Sequence, residues 1–166
     1  MTFTAEQLKA LEPYEKHFTT AIRSKYARYP GVNGVKIIHD ISKIVETMSY
    51  VHEKLDLYSG NDDQIVPLMS LGGKGVISVV SNILPKKTVE LCDKFFVGDL
   101  EGSRDIQLEL LPLINSLFCE VNPIPAKAAV AAIGFGENYV RLPLTTMEPE
   151  NEAKMRALMR EQGLNV

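Results

Sequence analysis

The sequence predicts an α/β fold in which about three parallel strands with crossover helices are followed by a C-terminal helical region. Three observations carry this. Short strand-like runs recur at Val35 to Ile38, Leu55 to Tyr58 and Val76 to Ser81, the first and third rich in β-branched residues and the second ended by a polar turn. Helical periodicity fills the stretches between them, and strands that alternate with helices over short connections pair in parallel. From Pro85 onward the pattern is helical alone.

Taken in order, Thr4 caps a helical N-terminal segment, with Glu6 and Gln7 in its first turn, Pro13 interrupting it and Pro30 and Gly31 ending it near Tyr29. After the first strand, Ser42 to Val51 places Ile44, Val45, Met48 and Val51 on one face with Lys43, Glu46 and Thr47 opposite, which suits a helix docked on a sheet. The turn Ser59-Gly60-Asn61-Asp62-Asp63 ends the second strand and can cap a helix from Gln64 to Ser70. Gly72-Gly73-Lys74-Gly75 then leads into Val76 to Val80, the clearest buried strand of the pattern. Helices follow from Pro85 to about Val97, along the stripe Ile106, Leu110, Leu113, Ile114, Leu117 and Phe118 with Pro112 expected to bend it, from Asn122-Pro123 through the small residues Ala126 to Ala132, and from about Glu150 to Gln162. The expected organisation is a helical segment over 1–30, a β/α region over 31–84 and a helical region over 85–166.

Composition narrows the function. The chain has 166 residues, 45% hydrophobic and 23% charged, which fits a globular protein and disfavours a disordered chain or a rod. Lys plus Arg is 18 against 21 Asp plus Glu, without a basic stripe, so nucleic acid is not an expected partner. The apolar runs are far shorter than the roughly 20 residues a membrane span requires. The start of the sequence resembles no export signal, and Cys92 and Cys119 read as buried thiols of a reducing cytoplasm. No cofactor is called for.

Several motifs invite chemistry and are better read as structure. Gly72 to Gly75 resembles a phosphate loop, but a helix leads in, a strand follows and Gly75 succeeds Lys74, so a connecting turn accounts for it. His39-Asp40 lacks partners at metal-ligand spacing, because His17 and His52 share no register with it, and Asp40 is better placed as the cap of the helix starting near Ser42. Asp62 and Asp63 are adjacent and diverge in direction, so helix capping explains them better than paired acid–base catalysis.

Four runs carry a resemblance. They are Leu57-Tyr58-Ser59-Gly60-Asn61-Asp62-Asp63, Leu71-Gly72-Gly73-Lys74-Gly75-Val76-Ile77-Ser78-Val79, Asn122-Pro123-Ile124-Pro125-Ala126-Lys127 and Val140-Arg141-Leu142-Pro143-Leu144. In the right order over about three quarters of the chain, they resemble the C-terminal part of the dihydrodipicolinate synthase and N-acetylneuraminate lyase family of class I aldolases, and the synthases more closely than the lyases. The resemblance implies a partial TIM barrel followed by a helical bundle. It also implies a Schiff base between pyruvate and a strand lysine, and condensation of pyruvate with aspartate semialdehyde in lysine biosynthesis. A whole barrel takes about 250 residues; the family's tyrosine relay, paired threonines and carboxylate-holding arginine have no counterpart in this sequence. A catalytically inactive remnant, acting only as a folded or oligomeric protein, is therefore the rival expectation.

By the same resemblance Lys36, in Gly34-Val35-Lys36, is the catalytic lysine, and Gly60 and Ile77 match positions that close around pyruvate. A Schiff-base lysine needs a lowered pKa and a carbonyl held within reach. After the lysine the family continues with Glu, Ala, a hydroxyl residue and Gly, whereas here Ile37, Ile38 and His39 lead to Asp40 with one residue fewer. A one-residue shift in a strand reverses the side chain, so Lys36 directed into the barrel and Lys36 directed toward the helices both fit the run. Residues 1–39 depart from the family. Strand edges and an apolar inner face bearing Ile77 and Val79 predict a homo-oligomer.

Overall fold

A computed structural model of the protein describes residues 34–51 and 55–166. The expected N-terminal helices with Thr4, Pro13 and Tyr29, and the residues His17 and His52, lie outside the described residues. The described chain divides into two compact units. One takes in the described residues up to Gly60 together with Pro67–Val76; the other takes in Asn61–Val66 together with Ile77–Val166.

The first unit is built on a three-stranded parallel sheet of order β1 (Gly34–Ile37), β2 (Asp56–Ser59) and β3 (Gly75–Val76). Lys36 pairs with Tyr58 and Tyr58 with Gly75. Helix α1 (Ile41–Val51) links β1 to β2, and helix α2 (Ile65–Ser70) precedes β3. Ile37 and Leu57, from adjacent strands, bury against Ile44, Met48 and Val51 of α1 and Leu68 of α2. That one-sided core is what the alternation of the strands dictates: positions 35, 37, 57 and 59 face one way and 36, 58 and 60 the other. Asp40 starts α1 as expected. Its Oδ1 accepts from Ser42 Oγ at 2.6 Å and from the Lys43 backbone N–H at 3.0 Å. These bonds, that from Ser42 first, hold its carboxyl below the ordinary aspartate value.

The glycine run is a connection, as expected. Gly72 and Gly75 take positive φ of 98° and 136°, a conformation glycine reaches without a Cβ penalty. At Gly73 a side chain would drive into Leu68, whose carbonyl oxygen would lie 2.9 Å from the added carbon.

The third strand differs from expectation. It covers Gly75–Val76 alone, and the chain then forms a 3₁₀ turn at Val80–Asn82. Side chains take the backbone donors that a longer ladder would use. Asp62 Oδ2 accepts from the N–H groups of Val79 and Val80 at 2.8 and 3.3 Å, and Ser78 Oγ accepts from Ser81 at 2.9 Å. Ile77, just past the end of the strand, is 49% exposed.

Within the second unit four helices follow: α3 (Pro85–Phe96), α4 (Leu100–Leu117), α5 (Ile124–Ala132) and α6 (Pro149–Glu161). Helix α4 packs on α3 and α6, and α5 on α6. Ile106, Leu110, Leu113, Ile114 and Leu117 are buried as the stripe predicts, and the helix runs through Pro112. Phe118 leaves the stripe because it lies past the last helical residue, and it is exposed. Asp99 caps α4 through a 2.9 Å bond from the Gly102 N–H. Gly98 and Gly163, with φ of 90° and 80°, end α3 and α6 in the left-handed turn that favours glycine. The cysteines correct the expectation of two buried thiols: Cys92 is half-buried, while Cys119, in the turn after α4, is exposed.

Candidate active site

The pairing of β1 settles which way Lys36 is directed. Ile37 buries beside Leu57 under α1, so Lys36, one residue earlier, lies on the opposite face of the sheet. Tyr58 is its partner across the ladder on that same face. The ring of Tyr58 leans over Gly34: a carbon added there would lie 3.2 Å from Tyr58 Cε2 and 3.0 Å from the Asp56 carbonyl oxygen. The tyrosine thus occupies the start of the strands and leaves their ends to the lysine.

At the strand ends the chain supplies a gap. The Gly60 N–H donates to the Ile37 carbonyl at 2.7 Å, which carries the β1–β2 pairing one step past the strands. A side-chain carbon on Gly60 would lie 2.7 Å from Lys36 Cε and 2.9 Å from the Ile37 carbonyl oxygen, and would overlap Ile38 Cγ1. Glycine is therefore required, and the end of Lys36 extends into the space it leaves. Two of the three residues expected at the site, Lys36 and Gly60, are in contact. The third, Ile77, belongs to the other unit and is half exposed there.

Ile38 had no signal in the sequence beyond its place two residues after the lysine. It is 60% exposed, and its side chain meets the same point above Gly60 as Lys36 does. Asp62 and Asp63 form no acid–base pair. Asp63 is exposed, whereas Asp62 is buried and directs its carboxylate to Val79 and Val80 instead of capping its own turn. Gln107 reinforces that turn: its Nε2 donates to the Asp62 carbonyl at 2.8 Å and its Oε1 accepts from the Val66 N–H at 3.3 Å. Within the second unit, the run from Asn122 to Lys127 borders a cavity of about 370 Å³ together with Val79, Asn82 and Phe135. No group of three or more metal-ligating side chains occurs among the described residues.

Parallel β/α units with a lysine on the strand face away from the helices, beside a glycine gap at the strand ends, define a segment of a β/α barrel carrying an amine at its C-terminal face. The comparisons give that segment a family. The dihydrodipicolinate synthetase family model matches residues 18–162, so residues 18–39, expected to depart from the family, fall within the match, and the chain belongs to that family. It is 49% identical over 123 residues to a 4-hydroxy-tetrahydrodipicolinate synthase of Alkaliphilus oremlandii, covering 74% of this chain and 42% of that protein. A monomeric dihydrodipicolinate synthase variant of known structure superposes with a TM-score of 0.84 at 40% identity, over 89% of this chain and 50% of that one. A chloride-inhibited dihydrodipicolinate synthase from Acinetobacter baumannii complexed with pyruvate does so with a TM-score of 0.78 at 32% identity, over 84% and 48%. The chain spans about half the length of the relatives it matches.

Proposed function

We propose that this chain carries the pyruvate-activating lysine of a 4-hydroxy-tetrahydrodipicolinate synthase, the lyase that condenses pyruvate with aspartate semialdehyde in lysine biosynthesis. The observation that supports it most is the contact between Lys36 and Gly60 on the face away from the helices. There the Nζ lone pair attacks the C2 carbonyl of pyruvate, the oxygen leaves as water, and the resulting imine makes the methyl group acidic enough to become a nucleophile. Gly60 gives the bound molecule room against backbone, and the assignment of Ile77 to pyruvate rests on the family resemblance alone. A pyruvate complex among the solved relatives supports this choice of ligand. A cytoplasmic homo-oligomer without a cofactor belongs to the same proposal.

The second reading is a chain that binds pyruvate without completing the synthase reaction. The tyrosine relay and arginine clamp that the resemblance assigns to the family have no match in this sequence. A positioned acid–base group contributes about 10²–10⁴ in rate, and lost orientation adds to that deficit. Incubation with pyruvate and borohydride, read by intact mass, together with an assay of condensation with aspartate semialdehyde, separates the readings. The expected result for these residues alone is one reduced pyruvyl group per chain with condensation at background. Robust condensation excludes the second reading, and absence of any adduct excludes the first.

A further inference from the structure

The residue after the gap is as informative as the gap. Positions 36 and 38 share one face of the first strand's path, and Gly60 follows Tyr58 on the same face of its neighbour, so Lys36, Ile38, Tyr58 and Gly60 form a patch two residues wide on each strand. Within it, Lys36 Cε and Ile38 Cγ1 both converge on the point a Gly60 side chain would take. Ile38 plays no part in the buried core on the helix side; it is 60% exposed on the lysine side. A branched apolar group thus stands beside the carbon that carries the reactive nitrogen.

We propose that Ile38 sets the specificity of the lysine site, admitting a 2-oxo acid whose C3 is a methyl group, such as pyruvate, and rejecting longer or β-branched 2-oxo acids. The proposal rests on the reading of Lys36 as the Schiff-base nucleophile. In the imine the former carbonyl carbon is bonded directly to Nζ, and its two substituents, the carboxylate and the alkyl group, lie one bond further out. The alkyl group is assigned to the side of Ile38 and Gly60 and the charged carboxylate to the solvent side. A methyl group fits, and an ethyl or isopropyl group meets Ile38 Cγ1 and the Gly60 backbone, which cannot retreat while its N–H is held by Ile37. A crowded apolar contact discriminates by about 10-fold or more per added carbon.

The test is reductive trapping of three probes: pyruvate, 2-oxobutyrate and 3-methyl-2-oxobutanoate. The Lys36 amine forms the C–N bond as the carbonyl oxygen leaves as water. Borohydride then delivers hydride to the imine carbon while the nitrogen takes a proton from solvent, leaving a stable secondary amine. Adduct rates at Lys36 are read by peptide mapping for the unmodified protein, Ile38→Ala and Ile38→Val, and an N-acetyl-lysine amide gives the intrinsic reactivity ratio of the probes. The expected result is a preference for pyruvate over 3-methyl-2-oxobutanoate about 10-fold beyond that intrinsic ratio. It should collapse toward the intrinsic ratio in Ile38→Ala and fall partway in Ile38→Val. Ile38→Val decides the matter if Ile38→Ala does not fold by circular dichroism. A preference unchanged in the variants, with the pyruvate adduct intact, overturns the role of Ile38. Failure of the pyruvate arm in the unmodified protein overturns the reading of Lys36 itself, and the role of Ile38 with it.

Discussion

Lys36 and Gly60 meet at the ends of neighbouring strands, where a methyl group on the glycine would lie 2.7 Å from the lysine's Cε. At that distance the flexible end of the lysine would have to move, so the glycine is what leaves it room where it lies. Its own position is set in turn by the 2.7 Å bond from its N–H to Ile37.

Gly60→Ala is therefore expected to displace the end of Lys36 and to crowd the Ile37 carbonyl. The predicted outcome is a fall of about 10-fold or more in pyruvate adduct at Lys36, with a stability loss of about 1–3 kcal/mol from overpacking. Adduct yield by mass and the urea midpoint read the two effects separately. An alanine variant that traps pyruvate as well as the unmodified protein would show that the gap has no bearing on the lysine.

Asp62 is the residue that turns the chain after the third strand, being 1% exposed and bonded to two backbone donors. Asp62→Ala leaves both donors without their acceptor, at an expected cost of about 2–4 kcal/mol. Asp62→Asn keeps one acceptor oxygen and is expected to cost less than half as much. Urea denaturation of the three proteins checks the order, and equal midpoints for the unmodified protein and Asp62→Ala would contradict it.

Acid sensitivity follows from two surface caps. Hydrogen bonding to Lys94, and secondly to the Gly102 N–H, holds the Asp99 carboxyl below its ordinary value of 3.8, and Asp40 is lowered by Ser42 and Lys43. A carboxyl depressed on folding binds fewer protons folded than unfolded, so its contribution is full above 3.8 and is lost as pH falls through that value toward the folded one. The urea midpoint is expected to stay level from neutrality to about pH 5 and to decline below it. Asp99→Asn should show a shallower acid decline, whereas parallel profiles would remove Asp99 from the account.

The sheet was legible because its signal is local. Short strand-like runs alternate with helical periodicity between Val35 and Val76, and the parallel pairing of Lys36 with Tyr58 follows from that order. Asp40 was legible as a cap because its partners lie two and three residues away. The extent of the third strand was not. Val76 to Val80 reads as a strand in composition, yet Asp62, 17 residues before Val79, captures the donors the ladder needs. Such a long-range polar bond leaves no periodic trace. Lys36 and Gly60 could each be named from the family runs, but the residue missing after the lysine left its direction open. The burial of Ile37 beside Leu57 decided it. Ile38 drew no attention because a β-branched residue at a strand end is ordinary until its neighbours are placed.

The central claim is that Lys36 is the nucleophile toward pyruvate. It is tested most directly by trapping the protein with pyruvate and borohydride and mapping the modified peptide, with Lys36→Ala run in parallel and its fold checked by circular dichroism. One reduced pyruvyl group on Lys36 and none on the folded alanine variant are expected. A modification spread over other lysines, or the same yield without Lys36, would contradict it.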